Sequence, residues 1–278
     1  MDNTPGDIDL EVLELDLFLE GVFRHYGYDF RNYSRPSLTR RSRSFLQQEG
    51  LGTVSALLDR VLHDRSCFEK FILALTVNVS AMYRDPSFFL ALRTNVVPLL
   101  RTYPFIRIWC AGCSTGEEVY SLAIMLEEEG LYDRCRIYAT DLNEVVLQRA
   151  KDGIFPLALM QQYTKNYLAA GGAMSFSEYY SAAYDHAVFL PTLKRHLVFA
   201  QHNLVTDGPF NEFHLILCRN VMIYFNKALQ ERVHNLMYDS LAMFGVLALG
   251  DKEAIRFTSH EKDYEHLDGK VKLYRKVV

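Results

Sequence analysis

Residues 106–118, IRIWCAGCSTGEE, place an apolar run directly before a turn of small residues that ends in Gly116 and two carboxylates, Glu117 and Glu118. Such a run suits a strand buried on both faces. In doubly wound sheets the first strand-to-helix turn lies where a nucleotide-like ligand crosses the carboxyl ends of the strands, and small residues let the backbone come close to it. This turn departs from G-x-G-x-x-G, because Ser114 and Thr115 stand between Gly112 and Gly116. Two acids at its exit would repel a pyrophosphate, so an ordinary dinucleotide is a poor fit.

About 25 residues further on, where a ribose-binding acid is placed in such folds, CRIYATDLNEVVLQRA ends its own apolar run in Thr140 and Asp141. A ribose-side acid beside an acidic, phosphate-averse turn points to a nucleoside that carries positive charge. S-adenosylmethionine, with a sulfonium and an ammonium, has that character. Local readings stand beside this one: Asp141 as the N-cap of the helix that follows, and Glu117 and Glu118 as first-turn acids favoured by the helix dipole.

Outward from the turn, FIRIWC, CRIYAT, HLVFAQ, FHLILC and GVLALG recur between helix-like segments, and VKLYRKVV closes the chain. That alternation predicts an α/β domain over 105–278 with a parallel sheet. The stretch 157–194 is too long for a simple connection and rich in Tyr, Ala and Gly, so it reads as a small inserted subdomain. Upstream the periodicity is helical. Leu10, Leu13 and Leu17 follow a candidate cap at Asp9, Gly27 supplies a stop, and TVSALLDRVL and CFEKFILALTVNV continue the pattern. Residues 1–85 therefore form an all-helical domain, and 86–104 a helical linker.

The chain has 278 residues, of which 49% are apolar and 23% charged. That is long enough to bury a full core. No stretch approaches a membrane span, and the acidic start lacks the basic flank of a secretory signal. A cytoplasmic location is expected. The cysteines, Cys67, Cys110, Cys113, Cys135 and Cys218, are odd in number and lie mostly in apolar runs, which favours reduced, buried thiols. Cys110 and Cys113 have no second pair at zinc-like spacing, no His pairing looks ligand-like, and no metal site is expected. A net charge of −4 argues against nucleic acid. Yet Phe30–Gln48 holds Arg31, Arg35, Arg40, Arg41 and Arg43 and no acid.

Five fragments in order resemble the CheR-type chemoreceptor glutamate methyltransferases: YGYDFRNYSRPSLTRR, TVNVSAMYRD, AGCSTGEEVYSLAI, ATDLNEVVLQRAKDGIF and, most specific, FNEFHLILCRNVMIYF. The resemblance spans nearly the whole chain. It implies a class I S-adenosylmethionine-dependent methyltransferase with a Rossmann-like sheet, an N-terminal helical domain that recognises receptors, and a small β insertion. It implies that Asn78, Ser80 and Arg84 border the methionine end of the cofactor together with one or both of Glu117 and Glu118. Gly112 would form the turn, Asp141 hold the ribose, and Asn203 and Leu204 take the adenine. Arg219, Asn220 and Tyr224 would line the floor near the methyl. Arg84, Tyr224 and Asp141 would be the catalytic residues. Ser80 replaces the usual Thr, and Met82 and Tyr83 replace a Phe pair.

A glutamate with an ordinary pKa of about 4.3 is ionised at neutral pH, so carboxyl methylation needs no general base. Alignment and charge placement would then carry catalysis. Arg35, Arg40, Arg41 and Arg43 would meet the acidic face of a receptor helix, unless they are only a solvated helix face. The insertion AAGGAMSFSEYYSAAYDH has no Arg or Lys for an anionic peptide terminus, so a C-terminal pentapeptide tether is not expected to be required. A monomer is expected. The competing readings are a small-molecule or protein methyltransferase of the same fold acting on another nucleophile, and a catalytically idle adaptor that binds S-adenosylhomocysteine and a signalling partner.

Overall fold

The computed structural model describes residues 10–75 and 80–278, which fall into two compact units. The first is helical: α1 (Leu10–Tyr26), α2 (Arg35–Glu49), α3 (Val54–His63) and α4 (Arg65–Leu75), joined by the segment Tyr224–Gln230. Its core is built from Leu15, Phe18, Leu19 and Val22 of α1 with Leu38, Phe45, Leu57, Val61, Phe68 and Phe71. The helix expected at the N-terminus forms, but its packed face is not the one the leucine spacing suggests. Leu10, Leu13 and Leu17 are 68%, 40% and 54% exposed. α1 is apolar on two faces, and periodicity alone cannot say which of them is covered. Gly27, at φ 79°, ends α1 as anticipated, with its N–H donating to the Phe23 carbonyl at 2.8 Å. A left-handed glycine is a common helix stop. The candidate cap at Asp9 lies outside the described residues.

The second unit begins with α5 (Pro86–Ala91), a π-helical stretch Leu92–Val96 and α6 (Val97–Leu100). There follow β1 (Ile106–Ala111), α7 (Glu117–Glu128), β2 (Cys135–Asp141), α8 (Glu144–Asp152), β3 (Ile154–Pro156), α9 (Met160–Ala169), β4 (Tyr180–Ala183), β5 (His186–Phe189), β6 (Leu197–Gln201) and β7 (Phe213–Cys218). Last come α10 (Lys227–Ser240), which counts with this unit from Glu231 on, β8 (Leu241–Leu249), β9 (Tyr264–His266) and β10 (Leu273–Lys276). Seven strands form one sheet in the order β6-β2-β1-β7-β8-β10-β9.

The run β6-β2-β1-β7-β8 is parallel. Uninterrupted apolar runs require this, because helices cover both faces of such a sheet. The far edge is not parallel. β10, from the closing VKLYRKVV, runs antiparallel to β8, and β9 antiparallel to β10. A short connection over 267–272 reverses the chain between β9 and β10, which suits antiparallel pairing, whereas a parallel neighbour would need a long crossover. All five cysteines are buried and unpaired.

The insertion is a three-stranded antiparallel sheet, β3-β5-β4, together with α9. One carboxylate anchors it. Glu128 at the end of α7 accepts from the Tyr167 hydroxyl, from the Tyr179 hydroxyl at 3.1 Å and from the Ala173 N–H at 3.2 Å, and it pairs with Arg93. These contacts hold its carboxyl below the usual range, against the opposing effect of burial.

Candidate functional site

Parallel registers Ala111↔Thr140, Asp141↔Gln201 and Cys218↔Leu249 bring the carboxyl ends of β1, β2, β6, β7 and β8 to one rim. The turn after β1 is tied to β2 by the N–H groups of Gly112 and Cys113, which donate to the Thr140 carbonyl at 2.8 and 2.9 Å. It is left-handed at Gly112 (φ 73°), Ser114 (φ 50°) and Gly116 (φ 96°). A Cβ on Gly112 would stand 2.5 Å from Val221 Cγ2, so only glycine fits there.

Asp141 closes this turn. Its Oδ2 accepts from Ser114 N–H at 2.9 Å, and its Oδ1 from Asn143 N–H at 3.0 Å. The cap of α8 is Asn143, whose side chain accepts from Val145 N–H at 2.9 Å, so the capping alternative for Asp141 fails. Burial pushes the Asp141 carboxyl up, against the backbone donors that pull it down. A carboxylate offers about four acceptor positions, and only some are used here.

The two carboxylates at the turn's exit differ sharply. Glu118 accepts from Arg219 Nη1 at 2.6 Å, while Arg219 Nη2 donates to Asp85 at 2.8 Å. The Arg219 side chain is only 2% exposed, and its guanidinium lies 3.8 Å from the ring centre of Phe88. Glu118 therefore already has a cation from the protein, shared with Asp85. Glu117 is 6% exposed and accepts from the Thr115 hydroxyl at 2.7 Å and from the Ser80 hydroxyl. No cation among the described residues forms an ion pair with it, and burial pushes its carboxyl up. An uncompensated buried carboxylate is costly unless a cation arrives from outside.

Segment 80–85 is fixed from both sides. Tyr83 N–H donates to Ser121 Oγ at 2.9 Å, and Asn166 donates to the Met82 carbonyl at 2.9 Å. Met82 and Tyr83 are fully buried, so the departure from a Phe pair is a packing change. Arg84 is half-buried beside them, and its neighbour Asp85 pairs with Arg219, 134 positions away. Asn78 lies outside the described residues. Asn203 forms a side-chain turn, its Oδ1 accepting from Val205 N–H at 2.9 Å, and Leu204 is buried after it. His202 N–H donates to the Asp141 carbonyl at 3.2 Å, which sets this loop beside the end of β2. Asn220 follows β7 in a left-handed conformation, φ 60°.

Thus Ser80, Arg84, Gly112, Glu117, Glu118, Asp141, Asn203, Leu204, Arg219 and Asn220 all belong to the second unit. Tyr224 belongs to the helical one. There the Arg41 guanidinium lies 4.6 Å from the Tyr224 ring centre and donates to the Leu75 carbonyl. Burial lowers the Arg41 pKa, so this residue is an internal cation. Arg35 pairs with Asp16, and Arg43 with Glu11. The acids absent from the Arg-rich stretch are thus supplied by α1. Arg40 is exposed and forms no ion pair among the described residues. It lines a shallow depression of about 590 Å³ along α2 with Arg35, Thr39, Arg43 and Gln47. Sequence reasoning missed Glu253, a buried acid whose carboxylate accepts four backbone N–H groups, three of them in the turn after β7. Nothing in GDKEAI marks it out.

The donor set fits a cationic nucleoside. Glu117 suits an ammonium, and Asp141 keeps acceptor capacity for a diol. Among the described residues no group of His, Cys, Asp and Glu is arranged to hold a metal, and no helix is long and apolar enough to cross a membrane.

Comparison with known proteins agrees. Residues 78–273 match the CheR methyltransferase SAM binding domain, and residues 13–76 match the CheR methyltransferase all-alpha domain. A Pseudomonas putida protein described as methyltransferase Cher3 is 50% identical over 95% of this chain and 97% of its own length. A chemotaxis protein methyltransferase of Listeria innocua is 32% identical over 86% of this chain and 88% of its own. One from Salmonella typhimurium is 29% identical over 84% and 80%. With a sheet rim suited to a charged nucleoside, preceded in sequence by an all-helical unit, the chain belongs to the S-adenosylmethionine-dependent CheR methyltransferase family.

Proposed function

We propose that this chain methylates glutamate side chains of chemoreceptor signalling domains. The observation that carries the reading is Glu117, a buried carboxylate with no ion-pair partner among the described residues, at the exit of the cofactor turn. S-adenosylmethionine supplies a methyl group on a sulfonium centre. A carboxylate oxygen of the substrate forms the new O–C bond as the C–S bond breaks, and the pair of that bond stays on sulfur. No proton has to move, so the protein's contribution is orientation and charge placement.

In this reading Glu117 takes the ammonium end and Asp141 the ribose. Asn203 and Leu204 border the adenine, with Ser80, Gly112 and Asn220 around the donor. Arg84 orients the incoming carboxylate, and Tyr224 is given that role by resemblance alone. Glu118 and Arg219 serve by holding each other and Asp85. Asn78 completes the set by resemblance. Arg40 is the residue best placed on α2 to attract an acidic receptor helix, with Arg35 and Arg43 sharing their charge with α1 and Arg41 acting from within. The protein acts as a cytoplasmic monomer. It does not require a pentapeptide tether, since β4, the edge of the small sheet, reads Tyr-Ser-Ala-Ala without a basic residue.

The test is incubation of the purified protein with methyl-labelled S-adenosylmethionine and candidate receptor cytoplasmic domains. Base-labile label on receptor glutamates is expected. Tight S-adenosylhomocysteine binding with no transfer to any receptor would instead favour the idle adaptor. Strong binding of a receptor-tail pentapeptide, lost on deleting residues 171–184, would overturn the tether statement.

A further inference from the structure

Glu253 is 5% exposed, and no cation among the described residues pairs with it. Its Oε1 accepts from the N–H groups of Val221 and Met222 at 2.9 and 2.8 Å, and its Oε2 from those of Asn220 and Gly250, both at 2.8 Å. One carboxylate thus ties the turn after β7 to the turn after β8. Burial pushes its carboxyl up, and four backbone dipoles, all aimed at it, work against that. The tie leads to the cofactor turn through Val221, whose side chain occupies the space a Cβ on Gly112 would need. It leads to the substrate side through Asn220, held left-handed at φ 60°. Gly250 is confined by the same group: a Cβ there would stand 2.7 Å from Glu253 Oε2 and 2.9 Å from Asn220 N.

We propose that Glu253 is a positioning residue that sets the height of the Asn220–Met222 floor against the Gly112 turn. It touches neither cofactor nor substrate. A carboxylate can serve four N–H donors because both of its oxygens accept, whereas an amide has one acceptor oxygen and an NH₂ that confronts the other pair of donors. Glu253→Gln keeps the shape and, in either orientation, strands two of the four N–H groups.

The proposal rests on the cofactor site and not on the identity of the receptor, so its readout is S-adenosylhomocysteine binding by calorimetry together with amide hydrogen exchange. Wild-type protein that fails to bind would count against the cofactor site itself. With wild-type binding intact, Glu253→Gln, assayed well below its melting temperature, is expected to weaken binding about tenfold or more, the scale of a lost charged hydrogen bond. Exchange at Asn220–Met222 should rise while that of α7 stays unchanged. A merely structural role would lower the melting temperature and leave the affinity of the folded protein alone. Wild-type affinity and wild-type protection at 220–222 in folded Glu253→Gln overturn the proposal. Should that variant not fold, Glu253→Asp decides, since it keeps the charge and both acceptor oxygens on a stem one methylene too short to reach all four N–H groups. Weakened binding with loosened 220–222 supports the proposal, and unchanged values refute it.

Discussion

Exchanging Glu117 and Glu118, one at a time, for Gln should move stability and cofactor affinity in opposite senses. Burial holds the Glu117 carboxyl above its ordinary value. A group whose folded pKa is raised keeps its proton longer in the folded state. Its contribution is fully present below the unfolded value, and is lost as pH rises from there through the folded pKa. At pH 7, above the unfolded value, Glu117 therefore detracts from stability, and Glu117→Gln removes that loss while its carbonyl can still accept from Thr115, whose hydroxyl lies 2.7 Å from the carboxylate. The variant should melt at or above the wild-type temperature at pH 7, with the difference fading towards pH 4.5, the unperturbed value. Its affinity for S-adenosylmethionine should fall by about 1.5–3 kcal/mol, the worth of a hydrogen bond to a charged partner, or about 10- to 150-fold. Glu118→Gln strips one of two carboxylates from the buried Arg219, so it should lower stability by about 1–3 kcal/mol. Differential scanning fluorimetry across pH and calorimetric titration read both quantities. Wild-type affinity in Glu117→Gln, or a melting temperature that falls there and holds in Glu118→Gln, would refute the division of labour between these acids.

Asp141→Ala should weaken S-adenosylhomocysteine binding by about 1–3 kcal/mol, measured by calorimetry, because it frees the Ser114 and Asn143 N–H groups and, in the proposed reading, removes a ribose acceptor. Arg84→Ala should lower receptor methylation more than it lowers cofactor affinity, since the contact proposed for it with the carboxylate would be realised most fully in the transition state; turnover within about twofold of wild type, far from the tenfold of about 1.4 kcal/mol, would reduce it to a surface residue. Arg40→Glu should slow receptor association and flatten its salt dependence more than Arg35→Glu does, as stopped-flow kinetics across a salt series would show. The reason is that Arg35 is already paired with Asp16.

The turn and the parallel strands are legible in the sequence because doubly buried strands leave uninterrupted apolar runs, and a close backbone approach leaves glycine at Gly112. Asp141 is legible for its place at the end of β2. What cannot be read depends on partners distant in sequence. Nothing local distinguishes Glu117 from Glu118, and the difference comes from Arg219, 101 positions after Glu118. The Arg-rich stretch reads as uncompensated in sequence, whereas in the fold α1 supplies Glu11 and Asp16. Glu253 is invisible for the same reason, since its donors are main-chain groups with no residue signature. Leu10, Leu13 and Leu17 show the limit of periodicity, which detects a helix but not its packed side.

The anchoring of the insertion through Glu128 has a consequence for how this protein can vary. The groups that Glu128 gathers, Tyr167, Ala173, Tyr179 and Arg93, precede β4 in the chain, and Phe189 and Leu193 after it are buried, so the attachment does not depend on the exposed positions of the outer strand. Among the described residues β4 pairs only with β5, and three of its four residues are exposed. Substitutions along that lip change what it offers to other molecules while leaving the bracket beneath it intact. The candidate site and the outer edge are thus free to drift at different rates, one held by buried ionic and backbone ties, the other answerable only to whatever it meets.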